Sequence, residues 1–437
     1  MDFKAILYKQ LQNRTGHLIV FVLLYALLLV EYVRFVYANY WSKGFELSVR
    51  PVNIIIGLLL VALATLWLFV WGRGDGSHAK AADGGYMYVL SLFVAVVFFM
   101  PSVVMYQLGG TTIWLPVYSL LFVFLLSAPF LQLPELRLHK VPNSVQVWLL
   151  PALALSMVIP FVVAYRANID WSVFAMGSNT YDVRAAANVK GNVLTAYLLG
   201  PLVKVVLPLL IVYGLKQKRP VICGLGIMLM LYIFAVNPQK TILISVFVVL
   251  SFYFFDSYKA KAGVLLYGLL AVCAISALLN LLTGNLMVES IVVRRMFFIP
   301  VQVADCYFSF FSGSPLLLSH SFLGVIFDYP YTLEPANLIG YEMYGRAVTH
   351  CNTGVIADGY MNFGHVGALL FVVIAAALVR CLESLKLDHA YMGLSLLFVF
   401  TFLNGALFTT MLTHGGWALF LSAMFLIPKS ISGTHEA

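Results

Sequence analysis

The stretch HLIVFVLLYALLLVEYVRFVY, residues 17–37, decides the fold. An α-helix needs roughly 20 apolar residues to cross the hydrocarbon core of a bilayer, and this stretch has that length with only Glu31 and Arg34 as full charges. The chain of 437 residues is 62% hydrophobic and 10% charged, whereas soluble domains carry about 25% charged residues. The composition excludes a water-soluble globular protein and predicts an all-α polytopic membrane protein.

Similar apolar stretches recur outward from this segment along the whole chain. They predict about twelve transmembrane helices in one polytopic domain, residues 1–437, without a cleavable signal peptide. The pair 221–236 and 241–255 is short, and only Asn237–Lys240 separates its members, which predicts a tight hairpin or a partly re-entrant element. The predicted spans are 17–37, 52–72, 86–106, 112–131, 145–164, 193–214, 221–236, 241–255, 263–283, 366–380, 391–410 and 412–427.

The basic residues predict the orientation of these spans. Most of the 26 Lys and Arg residues lie in the two termini and in the short loops on the same side. Because short cytoplasmic loops are enriched in Lys and Arg, we expect both termini in the cytoplasm and the protein in a bacterial inner membrane. The loops 165–192 and 284–365 then face outward. The net charge of +8 is spread over these loops rather than gathered in a stripe, so we expect no nucleic-acid partner.

The two long outer loops use arginine where the cytoplasmic loops use mainly lysine. Orientation needs only positive charge, but the planar guanidinium grips a phosphate with two parallel hydrogen bonds. Arginine on the outer side therefore indicates an anion-binding site, while ordinary ion pairs with loop carboxylates remain the alternative. The outer-loop cations are Arg166, Arg184, Lys190, Arg294, Arg295 and Arg346.

The first outer loop places Arg184 and Lys190 close to the sixth span, at the depth of a lipid-linked phosphate. Substrate binding is the favoured interpretation of Arg184, and anchoring to lipid headgroups is the alternative. Lys204 lies in the middle of the sixth span, where a charge is costly and indicates function by default. Glu31 and Arg34 stand three residues apart on the first span and are predicted to pair.

The second outer loop is too long to be a bare connection. Its segment 300–311 is rich in aromatic and apolar residues, as in a helix that lies in the membrane interface. Polar side chains that suit a binding site surround this segment, and a surface or packing role is the alternative for each histidine. The candidates in this loop are Glu289, Arg294, Arg295, His320, Arg346, His350, Asn352, Asp358 and Tyr360.

The cysteines and several absent motifs narrow the chemistry. None of the five cysteines forms a CxxC pair, and Cys306 and Cys351 are the only two in the outer loops, where a disulfide between them remains open. The sequence has no P-loop, no HExxH and no Asp-x-Asp. It therefore predicts neither a metal site nor a nucleotide cofactor.

These residues together resemble the Wzy-type O-antigen or oligosaccharide repeat-unit polymerases of the bacterial envelope. The resemblance rests on Tyr181–Arg184, on Arg294–Pro300 followed by Tyr307–Phe311, and on Asn352–Gly354 through Asp358–Gly364. The layout of about twelve spans with two long outer loops is also similar to theirs.

The resemblance implies a GT-C-like, metal-independent glycosyltransferase that passes a growing glycan from undecaprenyl pyrophosphate to an undecaprenyl-linked repeat unit. Its implied partners are these lipid-linked oligosaccharides, membrane lipids, and the chain-length regulator and flippase of the same pathway. Arg184, Arg294 and Arg295 would bind the pyrophosphate and His320 would act as the base, with His350, Asp358 and Glu289 in reserve. An O-antigen ligase of related layout is the nearest alternative, and a lipid-oligosaccharide flippase is the alternative outside enzymes.

Overall fold

The computed structural model describes residues 3–71, 84–166, 169, 171–175 and 179–430. Over these residues the protein is helical and contains no β-strand beyond an isolated bridge between Leu387 and Lys429. The prediction of an all-α protein is therefore confirmed for the described part of the chain.

Seven of the described helices are long and apolar enough to cross a membrane. Five more apolar helices coincide with the remaining predicted spans but have only 10–17 residues. At about 1.5 Å per residue they are shorter than a hydrocarbon core of about 30 Å. The polytopic membrane character is thus supported, whereas the number of twelve spans and the GT-C-like layout stay predictions. The long helices are Arg14–Lys43, Pro51–Phe69, Gly85–Leu108, Asn143–Tyr165, Val193–Lys216, Tyr258–Thr283 and Val355–Ser384; the short ones are Trp114–Ser127, Pro220–Val236, Thr241–Tyr253, His389–Asn404 and Gly416–Phe425.

The chain divides into two compact units. Unit 1 comprises Met1–Gln132, Ser257–Arg380 and Phe402–Leu407, and unit 2 comprises Leu133–Asp256, Cys381–Thr401 and Phe408–Ala437. Most of the predicted second outer loop belongs to unit 1, and the predicted first outer loop belongs to unit 2.

The predicted second outer loop is largely helical. The turn Leu286–Glu289 continues as a π-helical segment, Ser290–Phe298, and then as the helix Ile299–Phe310. The helix Pro335–Tyr344 follows. The helix predicted over 300–311 is therefore present, and it buries Val301, Ala304 and Phe308 in unit 1.

The loop closes with a sharp bend inside Val355–Ser384, at Phe363 and Gly364. Gly364 has φ +62° and ψ −148°, a backbone conformation open in practice only to glycine. After the bend the chain passes close to itself, because a methyl group at Gly359 would collide with the carbonyl oxygen of Gly367. The last part of the predicted loop is thus a short helix, residues 355–362, folded against the start of the predicted span 366–380.

The predicted first outer loop contains a 3₁₀ turn, Trp171–Ala175, and the helix Asn179–Lys190. The next helix begins at a reciprocal cap. The Asn192 side chain accepts a hydrogen bond from the Thr195 amide, and the Thr195 hydroxyl accepts one from the Asn192 amide, both at 2.9 Å. This capping box satisfies two amides that the helix itself leaves unpaired.

The two outer-loop cysteines are free thiols, so a disulfide between Cys306 and Cys351 is not formed. Cys306 is partly buried on the helix Ile299–Phe310, and Cys351 is buried in the segment after Pro335–Tyr344. Burial raises the pKa of Cys306 to about 11 and also raises the pKa of Cys351. Both thiols therefore stay protonated and unreactive at neutral pH, since the thiolate is the form that attacks or oxidises.

Candidate functional site

Arg294 is a partly buried guanidinium that no carboxylate neutralises. Its Cζ lies 4.1 Å from the centroid of the Tyr40 ring, and its Nε donates to the Ser290 hydroxyl at 3.0 Å. No acidic side chain forms an ion pair with it in the part of the chain that the structure describes. Burial lowers the pKa of this guanidinium, although arginine keeps its proton in proteins. Arg294 is thus a positioned positive charge that is available to bind an anion.

The segment that carries Arg294 is π-helical, from Ser290 to Phe298. Such stretches are rare, and they occur frequently at functional sites. A second π-helical stretch, Tyr32–Tyr37, packs against it within the long first helix. Arg295 is exposed beside Arg294 on the same segment. The structure therefore brings the Arg294–Arg295 pair of the sequence analysis next to the first long helix, Arg14–Lys43, which carries Arg34 and Tyr40.

Arg34 anchors the start of this segment. It pairs with Glu31 at 2.6 Å, as predicted, and also with Glu289. The Asn280 amide donates to the second carboxylate oxygen of Glu289, which is fully buried. Because both of its oxygens are engaged, Glu289 is an anchor for the segment, and its reserve role as a proton acceptor stays a prediction. The pairing with Arg34 could not be predicted, since 255 residues separate the two side chains.

His320 follows a strained turn. Leu317 and Leu318 have φ of +52° and +60°, which side chains with a Cβ rarely adopt. Three hydrogen bonds of 2.9–3.0 Å hold the turn: the amides of Leu316, Leu317 and Leu318 donate to Met361 O, Asn362 O and Asn362 Oδ1. These acceptors lie at the end of the helical residues 355–362, where the bend at Gly364 frees the last carbonyls.

The imidazole of His320 is partly buried, with its ring centroid 6.3 Å from that of Tyr329. Its Nδ1 is buried and has no hydrogen-bond partner among the described residues. Burial lowers the pKa of His320 below its usual value of 6.5. The ring is therefore neutral at pH 7, which is the form that accepts a proton.

Both carboxylate oxygens of Asp358 accept hydrogen bonds from groups of the protein. One carboxylate oxygen accepts from the Leu407 amide at 2.7 Å, and the other accepts from the Asn362 side chain at 3.1 Å. Asp358 is 2% exposed. It therefore orients Asn362, which in turn holds the turn before His320, and its reserve role as a base stays a prediction.

The other candidates of unit 1 differ in their exposure to solvent. Arg346, His350 and Asn352 are exposed in the segment that follows Pro335–Tyr344. Tyr360 is buried and stacks on Phe308 with ring centroids 3.9 Å apart.

A cluster of aromatic side chains surrounds His365, a residue that the sequence analysis leaves out of the site. The His365 ring lies 4.5 Å from Trp114 and 5.1 Å from Tyr360, and its Nδ1 lies 3.0 Å from the Tyr118 hydroxyl. The aromatic residues 114 and 118, one helical turn apart at the start of Trp114–Ser127, were the only signal for this cluster.

Unit 2 holds the remaining candidates. Arg166 is exposed with φ +55°, and its carbonyl accepts from the Tyr232 hydroxyl at 3.0 Å. Arg184 is exposed on the helix Asn179–Lys190, and Lys190 is exposed at its end. Lys204 is partly buried on a π-helical stretch, Leu202–Val206. Arg166, Arg184 and Lys190 are thus accessible cations and Lys204 is not, while substrate binding by these residues stays a prediction.

No group of three or more His, Cys, Asp and Glu side chains is arranged to hold a metal ion in the described ranges. No protein-family model, curated protein or solved structure matches the chain.

Proposed function

We propose that this protein is a surface-polysaccharide (O-antigen) polymerase that moves a growing glycan from undecaprenyl pyrophosphate to an undecaprenyl-linked repeat unit at the outer face of the membrane. Unit 1 is proposed to hold the pyrophosphate and the base. The reaction needs no nucleotide, because the pyrophosphate already is a good leaving group.

The observation that carries the proposal is the environment of Arg294. The structural arginines of unit 1 donate to carboxylates or carbonyl oxygens, as Arg34 does to Glu31 and Glu289 and as the buried Arg380 does to the backbone carbonyls of residues 125 and 128. Arg294 instead rests on an aromatic face and a hydroxyl, so its charge is positioned and not neutralised. Preorganised positive charge of this kind stabilises the charge that develops on a departing phosphate. The exposed Arg295 adds a second guanidinium beside it.

The step we propose is a displacement at the anomeric carbon of the donor sugar. The acceptor hydroxyl oxygen forms the new bond to that carbon, and the bond from carbon to the pyrophosphate oxygen breaks. The electron pair leaves with the pyrophosphate toward Arg294 and Arg295, and the hydroxyl proton passes to the neutral His320. General-base assistance of this type is worth about 10²–10⁴ in rate.

The lipopolysaccharide banding pattern of a deletion strain tests the proposal. If the protein is a polymerase, the deletion strain should lose the ladder but keep a single repeat unit, and the intact gene should restore the ladder. Loss of all O-antigen with accumulation of lipid-linked polymer would instead identify a ligase. An unchanged ladder would contradict both enzymes.

A further inference from the structure

The proposed function does not use two basic side chains of unit 2, Lys204 and His414. Lys204 lies at the middle of the helix Val193–Lys216, and His414 lies in the turn between Leu407–Leu412 and Gly416–Phe425. A methyl group at Gly200, one helical turn before Lys204, would lie 2.8 Å from the Cα of His414.

The backbones around the pair are in direct contact. A methyl group at Gly200 would collide with the Thr413 carbonyl oxygen, and one at Gly415 would lie 2.9 Å from the Pro201 Cα. Pro201 is eight residues into its helix, roughly 12 Å along the axis at 1.5 Å per residue. The non-helical turn 413–415 therefore meets this helix well inside its length, not at its end.

Both elements are irregular where they meet. The helix is π-helical over Leu202–Val206, and Gly415 has φ +94°. In membrane proteins, irregular backbone at depth is tolerated where it is buried in protein or lines a cavity. Interrupted helices of this kind form the ion and substrate sites of many membrane proteins.

The pair also lacks counter-charges. Neither Lys204 nor His414 forms an ion pair with a carboxylate anywhere in the described ranges, and the buried Nδ1 of His414 has no hydrogen-bond partner there. A lysine in a membrane span is costly unless something pairs with it. An ammonium group and an imidazole N–H can both donate hydrogen bonds to an oxyanion.

We propose that Lys204 and His414 form an oxyanion-binding site within unit 2 that takes a phosphate group. The group could be the phosphate of a phospholipid or the pyrophosphate of a lipid-linked glycan, and both present the same oxygens to the two donors. The site is independent of Arg294 and does not require the proposed polymerase activity.

The test measures binding to purified full-length protein in detergent, in an Arg294→Ala background that removes the cation of unit 1. Inorganic pyrophosphate and phosphatidylglycerol serve as separate probes, by thermal shift and by native mass spectrometry. Lys204→Met and His414→Gln should each weaken binding of the effective probe about tenfold or more. Lys218→Met, an exposed lysine of the same unit that belongs to no proposed site, is the matched control and should bind as the background does.

The two probes separate the possible sources of the phosphate. Binding of phosphatidylglycerol alone indicates a phospholipid, and binding of pyrophosphate indicates the lipid-linked substrate. The proposal would be overturned if each probe bound the Lys204→Met variant as tightly as it binds the Arg294→Ala background. Should Lys204→Met fail to fold, His414→Gln and Lys204→Arg decide it, because Arg keeps the charge and should retain binding while Gln should not.

Discussion

At the residue scale, the decisive contrast is between two arginines of unit 1. Arg34 faces two carboxylates and fixes the backbone, whereas Arg294 faces an aromatic ring and a hydroxyl. The same side chain thus serves a structural purpose in one place and leaves a usable charge in the other. The neighbours, which are distant in sequence, decide which purpose it serves.

We expect Arg294→Lys to abolish most of the polymer ladder, because lysine keeps the charge but loses the planar fork and the stacking on Tyr40. Arg294→Ala should have the same effect. Arg137→Lys is the matched control, since Arg137 is 85% exposed and makes only a long contact of 3.9 Å with Glu135. The readout is the banding pattern of the complemented deletion strain. A full ladder from the Arg294→Lys variant would mean that only the positive charge of residue 294 matters, as in simple attraction to lipid headgroups.

The second prediction at this scale is a pH dependence. Neutral His320 is the proton acceptor, and burial lowers its pKa below 6.5. Polymer formation by purified protein should therefore be insensitive to this group above pH 6.5 and fall only as the pH drops through the lowered pKa. His320→Ala should reduce the rate about 10²–10⁴-fold and remove this acid limb. An acid limb that stays in the variant, or one centred above 6.5, would assign the proton to another group.

At the element scale, the bent helix Val355–Ser384 organises the predicted second loop. The bend at Gly364 exposes the last carbonyls of residues 355–362, and the turn before His320 binds them. Asp358 orients the Asn362 side chain, which accepts a hydrogen bond from the Leu318 amide and so joins the helix to the turn. The end of the predicted loop is therefore an ordered structure that holds the turn before His320 in place.

We expect Gly364→Ala to destabilise the protein by about 1–3 kcal/mol, because alanine would be forced into a glycine-only conformation. No atom lies within 4 Å of the added methyl group, so backbone strain alone is responsible. Gly313→Ala is the control, since Gly313 also has open space but no positive φ. Unfolding of the two purified variants in detergent measures the difference. Equal stabilities would show that the bend is not strained.

We also expect Asn362→Leu to loosen the turn before His320. The variant leaves the buried Leu318 amide without its acceptor, at a cost of about 1–3 kcal/mol. Hydrogen–deuterium exchange should rise in residues 316–321. Asn337→Leu is the control, because it removes a different tether, to the Ala347 carbonyl. Unchanged exchange in 316–321 would mean that the strained turn does not depend on Asn362.

At the scale of the whole molecule, the apolar helices and the distribution of lysine and arginine govern the orientation in the membrane. The described helices support a membrane-embedded chain. Its placement in a bacterial inner membrane with both ends cytoplasmic stays a prediction that rests on the positive-inside rule.

Reporter fusions test this orientation. Fusions at residues 175 and 330 should report an external location, and fusions at 218 and 435 a cytoplasmic one. The paired fusions control one another, because each reporter must give opposite signals on the two sides. A cytoplasmic signal at 330 would place Arg294 and His320 on the wrong side for a lipid-linked donor and would overturn the proposed function.

The sequence by itself determined the class of the protein, because apolar length and charge content reflect the solvent that each segment can tolerate. It also located the apolar helices, the helix over 300–311 and the pairing of Glu31 with Arg34, all of which depend on neighbours along the chain. Only the tertiary structure decided that Glu289 and Asp358 are anchors, that Arg294 has no carboxylate partner among the described residues and that the turn carrying His414 packs against the helix of Lys204. These facts depend on contacts between residues far apart in sequence, which local patterns of polarity do not encode.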